Sequence, residues 1–205
     1  MKEIFYDWGG LNNSIFYAIN SIHGEFYDQF MLFGSMLGKY KIFPVYLLLL
    51  ASFALFMGKR IKEKSPTEYI TFRNKWREVM LVLVISFLTN MLWVSPLKDF
   101  FQYPRPFVAL PQDSFIMLQS SIAPAESPLT SFPSGHSIFS MMMVAGLWPA
   151  LSKCGRYMGM FFLAWVGISR IALGMHFPMD VLTGFTLSCL VVVIVRMAVR
   201  KILKS

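Results

Sequence analysis

Three short blocks hold most of the side chains able to do chemistry. KDFFQYPRP carries Lys98 and Arg105, SFPSGHS carries Ser134, Gly135 and His136, and SRIALGMHFPMD carries Arg170, His176 and Asp180. Three cations, two histidines and one carboxylate make a set suited to binding and attacking an anion. The spacing sharpens this. Pro133 suits the first turn of a helix with Ser131 as its N-cap. The amides of Ser134, Gly135 and His136 would then be unpaired first-turn donors, which form an anion site at the positive end of the helix dipole. Gly135 lets the backbone approach the anion closely. Pro178 is placed to open a later helix. Asp180, one turn beyond His176, can then reach the inner ring nitrogen, fix the tautomer and stabilise a charged imidazole. Each residue also has a plain structural explanation. Lys98 and Arg105 could anchor at a membrane interface, His136 could be a polar boundary residue, and Asp180 could answer a helix dipole. All of these would have to hold at once.

The elements that must position these residues are apolar. The chain has 205 residues, 56% hydrophobic and 15% charged, with a mean hydropathy of +0.54. That is the balance of a polytopic membrane protein. The spans expected are Ile42–Gly58, Val79–Leu97, Ser137–Ser152, Tyr157–Gly174 and Val181–Val199, each near the length a bilayer requires. The net charge of +8 does not argue for nucleic acid, because cytoplasmic loops of membrane proteins are routinely basic. The stretch Lys59–Arg77 reads as a basic cytoplasmic loop. Alternation then puts Lys153, Arg156 and the tail after Arg196 inside, and all three chemical blocks outside. Met1–Tyr40 contains Asn12, Asn13, Asn20, His23, Glu25 and Asp28. It reads as one or two amphipathic helices on the outer interface, with a sixth, polar span as the alternative. The fold expected is all-α, a transmembrane bundle of five or six spans with an amphipathic N-terminal segment. Residues 1–205 form one integral-membrane domain, with 1–40 interfacial and 79–199 the catalytic core. Cys154 and Cys189 suggest neither a disulfide nor a metal site, and the N-terminus has no stretch of signal-peptide type.

The blocks together resemble the signature of the type 2 phosphatidic acid phosphatase superfamily, which includes lipid phosphate phosphatases and vanadium haloperoxidases. The pattern is Lys98, six residues, then Arg105-Pro106; then Pro133-Ser134-Gly135-His136; then Ser169-Arg170, five residues, His176, three residues and Asp180. YPRPFV and LGMHFPMD are most similar to bacterial phosphatidylglycerophosphate phosphatases of type B. The resemblance implies that His176 attacks phosphorus and forms a phosphohistidine while Asp180 orients it. It implies that His136 protonates the leaving group and then activates water. Lys98, Arg105, Arg170, Ser134 and Gly135 would bind the phosphate oxygens. No cluster of acidic residues suited to magnesium accompanies the motifs, so no metal and no cofactor are expected. The expected partners are the bilayer and a lipid phosphate such as phosphatidylglycerophosphate, phosphatidic acid, undecaprenyl pyrophosphate or lipid A. The expected location is a bacterial inner membrane with the site on its periplasmic face. A phosphotransferase or a non-hydrolytic lipid-phosphate transporter would reuse the same pocket, although a carrier needs no nucleophile. The long connection Phe107–Pro133 is expected to shape headgroup access, with Asp113 and Glu126 solvated.

Overall fold

A computed structural model describes residues 6–117 and 127–204, and the described residues form an all-helical bundle. Two short helices come first, α1 (Leu11–Asn20) and α2 (Glu25–Leu37). Five further helices follow: α3 (Phe43–Lys64), α4 (Pro66–Phe101), α5 (Gly135–Leu147), α6 (Lys153–Ala172) and α7 (Pro178–Lys204). α3, α4 and α7 are long and apolar enough to cross a membrane by length and composition. Leu55, Leu92 and Ile194 on these helices are 77%, 78% and 66% exposed. Apolar faces on that scale belong against lipid. The chain is an integral membrane protein.

α5 lies at the centre, packed against α4, α6 and α7. Val79, Val82 and Leu83 of α4 meet Phe139 and Met142 of α5 and Val192 of α7 in the main core. Burial of such side chains stabilises by about 1.5–3 kcal/mol each, before the entropy of ordering the chain is counted.

The basic stretch Lys59–Arg77 is not a loop. α3 runs on through Lys64, and α4 begins at Pro66. Only Ser65 breaks the helix, with extended backbone at φ −151° and ψ 103°. The following proline disfavours helical geometry there. The Ser65 hydroxyl accepts from the Glu68 amide at 3.4 Å, the Ser-x-x-Glu arrangement that starts helices. The span expected at Ser137–Ser152 is also shorter, because α5 ends at Leu147.

Two of the polar residues that obscured Met1–Tyr40, Asn12 and Asn20, point inward, whereas Glu25 is exposed. Asn12, Asn20 and Ser35 are each 1% exposed. Asn20 donates to the carbonyls of Ile116 and Ala172 at 2.8 and 2.9 Å, and its side-chain oxygen accepts from the Ile116 amide. The Asn12 oxygen accepts from the Met179 amide at 3.0 Å, serving a donor that the start of α7 leaves without a helical partner. α2 packs along α6, where Trp165 stacks on Phe30 at 4.4 Å and donates to its carbonyl at 3.0 Å.

Candidate active site

His176 lies in the turn between α6 and α7. Gly174 takes a left-handed φ of 71° just past the end of α6, where glycine carries no steric penalty. The reversed chain then hangs on Arg170, whose carbonyl accepts from the amides of Met175 and His176, both at 3.1 Å. Pro178 opens α7 and sets Asp180 in its first turn.

Four donors surround the Asp180 carboxylate. Its Oδ2 accepts from Ser131 Oγ at 2.5 Å and from the Phe177 amide at 2.9 Å, and faces His176 Nδ1 at 3.3 Å; its Oδ1 accepts from the Tyr6 hydroxyl at 2.8 Å. An ionised carboxylate only accepts, so Nδ1 carries the proton and Nε2 keeps a lone pair. Nε2 lies 3.3 Å from Arg105 Nη1. Burial, with Arg105 and Arg170 alongside, pushes the His176 imidazole well below its ordinary value of 6.5. The ring is therefore neutral and able to attack near neutral pH. Tyr6 packs among Tyr103, Phe132 and Phe177. Burial and the Asp180 charge push its phenol up, so it stays a donor.

The cations reach the site from three elements. Lys98, near the end of α4, donates to the Thr130 carbonyl at 2.8 Å. Arg105 is 3% exposed and donates to the carbonyls of Ser127, Thr130 and Met175 at 3.1, 3.2 and 3.1 Å. Arg170, fully buried, donates to Ser35 Oγ at 2.6 Å. Guanidinium groups fixed in this way meet a phosphate with little reorganisation.

The second block departs from expectation. α5 starts at Gly135 with Ser134 as its N-cap, whose Oγ accepts from the Ser137 amide at 3.5 Å. Pro133 follows a cis peptide bond and stands outside the helix. Ser131 is not a cap, because its hydroxyl is taken by Asp180. The Ser134 amide is not a spare donor either; it donates to the Asp180 carbonyl at 3.0 Å. The amides of Gly135 and His136 remain as first-turn donors. His136 Nε2 is buried with no hydrogen-bond partner among the described residues.

Lys98, Arg105, Gly135, His136 and His176 line one cavity of about 470 Å³, while Arg170, Ser134 and Asp180 are fully buried behind its wall. Phe87, Met91 and Phe139 give the cavity an apolar side, and Lys39 and Lys41 complete it from the N-terminal segment. Asp113 is exposed, whereas Glu126 and the middle of its loop lie outside the described residues. Among the described residues no three His, Cys, Asp or Glu side chains gather as a metal site. Sequence reasoning did not find Tyr6, Ser35 or Lys39 as parts of the site, and no local signal marks them. Their partners are distant in the chain, 174 residues away for Tyr6 and 135 for Ser35.

Comparison with known proteins bears on the fold and the family. A phosphatidylglycerophosphatase B of Bacillus subtilis (strain 168) is 32% identical over 137 residues, covering 61% of this chain and 59% of that protein. The match thus spans less than two thirds of the relative's length. Two crystal structures share the fold. One is the first transmembrane PAP2 type phosphatidylglycerolphosphate phosphatase from Bacillus subtilis, with a TM-score of 0.70 and 24% identity over 96% of this chain and 88% of that one. The other is LpxE of Aquifex aeolicus, with a TM-score of 0.66 and 23% identity over 90% of this chain and 94% of that one. Identities this low show the fold alone. The PAP2 superfamily model matches residues 78–204, a stretch holding all three chemical blocks and more than half of the chain. On that match the chain belongs to the PAP2 superfamily.

Proposed function

We propose that this protein is a membrane-embedded lipid phosphatase that hydrolyses a phosphate monoester or diphosphate through a phosphohistidine. One observation carries the reading. His176 Nδ1 is held against Asp180 at 3.3 Å, which leaves Nε2 on a cavity shared with Lys98, Arg105 and His136. In the first step the Nε2 lone pair attacks phosphorus as the bond from phosphorus to the lipid oxygen breaks. His136, in its doubly protonated form, gives its Nε2 proton to that oxygen and is left neutral for the second step. Asp180 stabilises the positive charge on the phosphorylated ring. In the second step His136 takes a proton from water, whose oxygen displaces His176 and releases phosphate. Lys98, Arg105 and the Gly135 amide hold the non-bridging oxygens, Arg170 adds its positive charge from behind the wall, and Ser134 sets the helix start that aims the amide. The chemistry needs no metal, and the cationic site without a carboxylate cluster among the described residues supports this.

The membrane arrangement belongs to the same proposal. Five helices cross, α3 to α7, with α1 and α2 packed at the outer end; residues 79–199 form the catalytic core of one domain. The basic ends of α3 and α4 face the cytoplasm of a bacterial inner membrane, and the cavity faces the periplasm. The substrates are those the relatives' names point to: phosphatidylglycerophosphate, or a lipid phosphate of similar form.

The test is phosphate release from a panel of lipid phosphates by purified protein, with acid quenching during turnover. Phosphate should appear on His176, and His176→Ala should abolish both label and release. An active His176→Ala protein would remove the proposed nucleophile.

A further inference from the structure

The cavity extends beyond the groups that would hold a scissile phosphate. At about 470 Å³ it falls in the range that houses a drug-sized ligand rather than a lone phosphate. Its catalytic wall carries Lys98, Arg105 and both histidines. The segment joining α2 to α3, outside the 78–204 family match, adds Lys39 and Lys41.

This segment is fixed in place. Gly38 sits so close to the site that a Cβ there would lie 2.7 Å from Val166 Cγ1 and 3.4 Å from the His136 ring carbon Cδ2. Only a glycine permits that approach. The Gly38 amide is bound to the carbonyls of Gly34 and Ser35, both at 3.2 Å, and the Lys39 carbonyl accepts from the Ile42 amide at 3.1 Å. Ser35, one turn before, holds Arg170. Lys39 is half-buried in extended backbone, and neither it nor Lys41 has a carboxylate partner among the described residues. A half-buried ammonium on a cavity wall without a carboxylate calls for an anion from the ligand.

We propose that Lys39, supported by Lys41, forms a second anion subsite that grips the phosphate standing beside the one removed, a group that phosphatidylglycerophosphate and lipid diphosphates both carry. The inference rests on the phosphatase reading for its orientation, with the scissile group at His176 and the second at Lys39. Two chemistries supply such a group. In a diphosphate the second phosphorus is joined through one oxygen; in a phosphodiester-linked headgroup it stands a short carbon link away.

Binding separates them and does not require turnover. Inorganic phosphate, methylenediphosphonate and glycerol 1,3-bisphosphate are titrated into the full-length protein in detergent. The same is done for Lys39→Gln and Lys39→Arg. At least one two-phosphate probe should bind about tenfold more tightly than phosphate, the size of one charge-assisted hydrogen bond. Preference for the diphosphonate selects the first chemistry, and preference for the spaced bisphosphate selects the second. Lys39→Gln should erase that preference, and Lys39→Arg should restore it. The proposal fails if neither probe outbinds phosphate, or if Lys39→Gln weakens all three equally, as a merely structural lysine would. In turnover, Lys39→Gln should lower the ratio of kcat/KM for two-phosphate over one-phosphate lipids by a similar factor. If the wild type released phosphate from no lipid, the phosphatase reading would fall, while these binding results would still decide the subsite.

Discussion

Replacing Asp180 by asparagine should harm this enzyme far less than the same change harms a serine-protease triad. The reason is the ring of donors around the carboxylate. The Phe177 amide, 2.9 Å from Oδ2, is a fixed donor and cannot accept. It requires the oxygen of the introduced asparagine to occupy the Oδ2 position, where it still accepts from His176 Nδ1. The new NH2 group then faces the Tyr6 hydroxyl, now 2.8 Å from Oδ1, which can turn and accept. The tautomer therefore survives, and only the negative charge is lost. A charge-assisted hydrogen bond contributes roughly 1–2 kcal/mol more than a neutral one. That corresponds to about a 5- to 30-fold slower phosphorylation of His176. Asp180→Ala removes the acceptor of all four donors and frees the ring, so the loss should approach the ~10⁴-fold seen when a triad histidine is left in the wrong tautomer. Single-turnover formation of acid-quenched phosphohistidine measures both, with thermal melts to confirm folding. Equal, near-complete loss in the two variants would refute the role given to Phe177 and Tyr6. An unimpaired Asp180→Asn would show that the carboxylate charge does not act through His176.

Other expectations follow from the same geometry. His176 is held below 6.5, so the acid limb of kcat/KM assigned to it should lie below that pH. The folded chain also binds this proton more weakly than the unfolded chain, so its contribution to stability is present above 6.5 and declines as pH falls below it; melting followed downward from neutral pH should show a smaller decline in His176→Asn. Tyr6→Phe should slow phosphorylation and leave substrate affinity nearly unchanged, since the hydroxyl touches Asp180 and not the cavity wall; a loss confined to KM would contradict that. Activity should persist in EDTA and fall with vanadate, which can mimic a five-coordinate phosphorus; strict dependence on magnesium would count against the metal-free mechanism. In a background lacking Cys154 and Cys189, an impermeant thiol reagent added to intact cells should label Asp113→Cys and spare Glu63→Cys, and the reverse pattern would put the cavity on the cytoplasmic face.

What could be read in the sequence was local. His176 and Asp180 are four residues apart across the start of a proline-opened helix, close enough in the chain for their contact to be expected. The all-helical fold followed from long apolar runs. The start of α5 was misplaced by one turn because Ser131 and Ser134 are equally good caps in isolation. The choice is made by Asp180, which takes the Ser131 hydroxyl. The basic stretch between α3 and α4 looked like a loop because its charge drew attention from the Ser65-Pro66-Thr67-Glu68 helix start. The N-terminal contributions were hidden for a different reason. Asn12, Asn20 and Ser35 look like solvated polar residues, but each serves a backbone or guanidinium group at least 96 residues away along the chain.

The shortness of α5 has a consequence for how a lipid meets the protein. Its 13 residues rise only about 20 Å, against a hydrocarbon layer of roughly 30 Å. Gly135 and His136 stand at one end of this helix. If its other end reaches the opposite interface, the catalytic end stops well short of the headgroup plane. Either the bilayer pinches inward around the protein or the reaction takes place in a recess below the surface. In both cases the lipid need not be pulled out of its leaflet. Its phosphate sinks toward the cations while the acyl chains stay among their neighbours, and the water of the second step must follow it down the same recess.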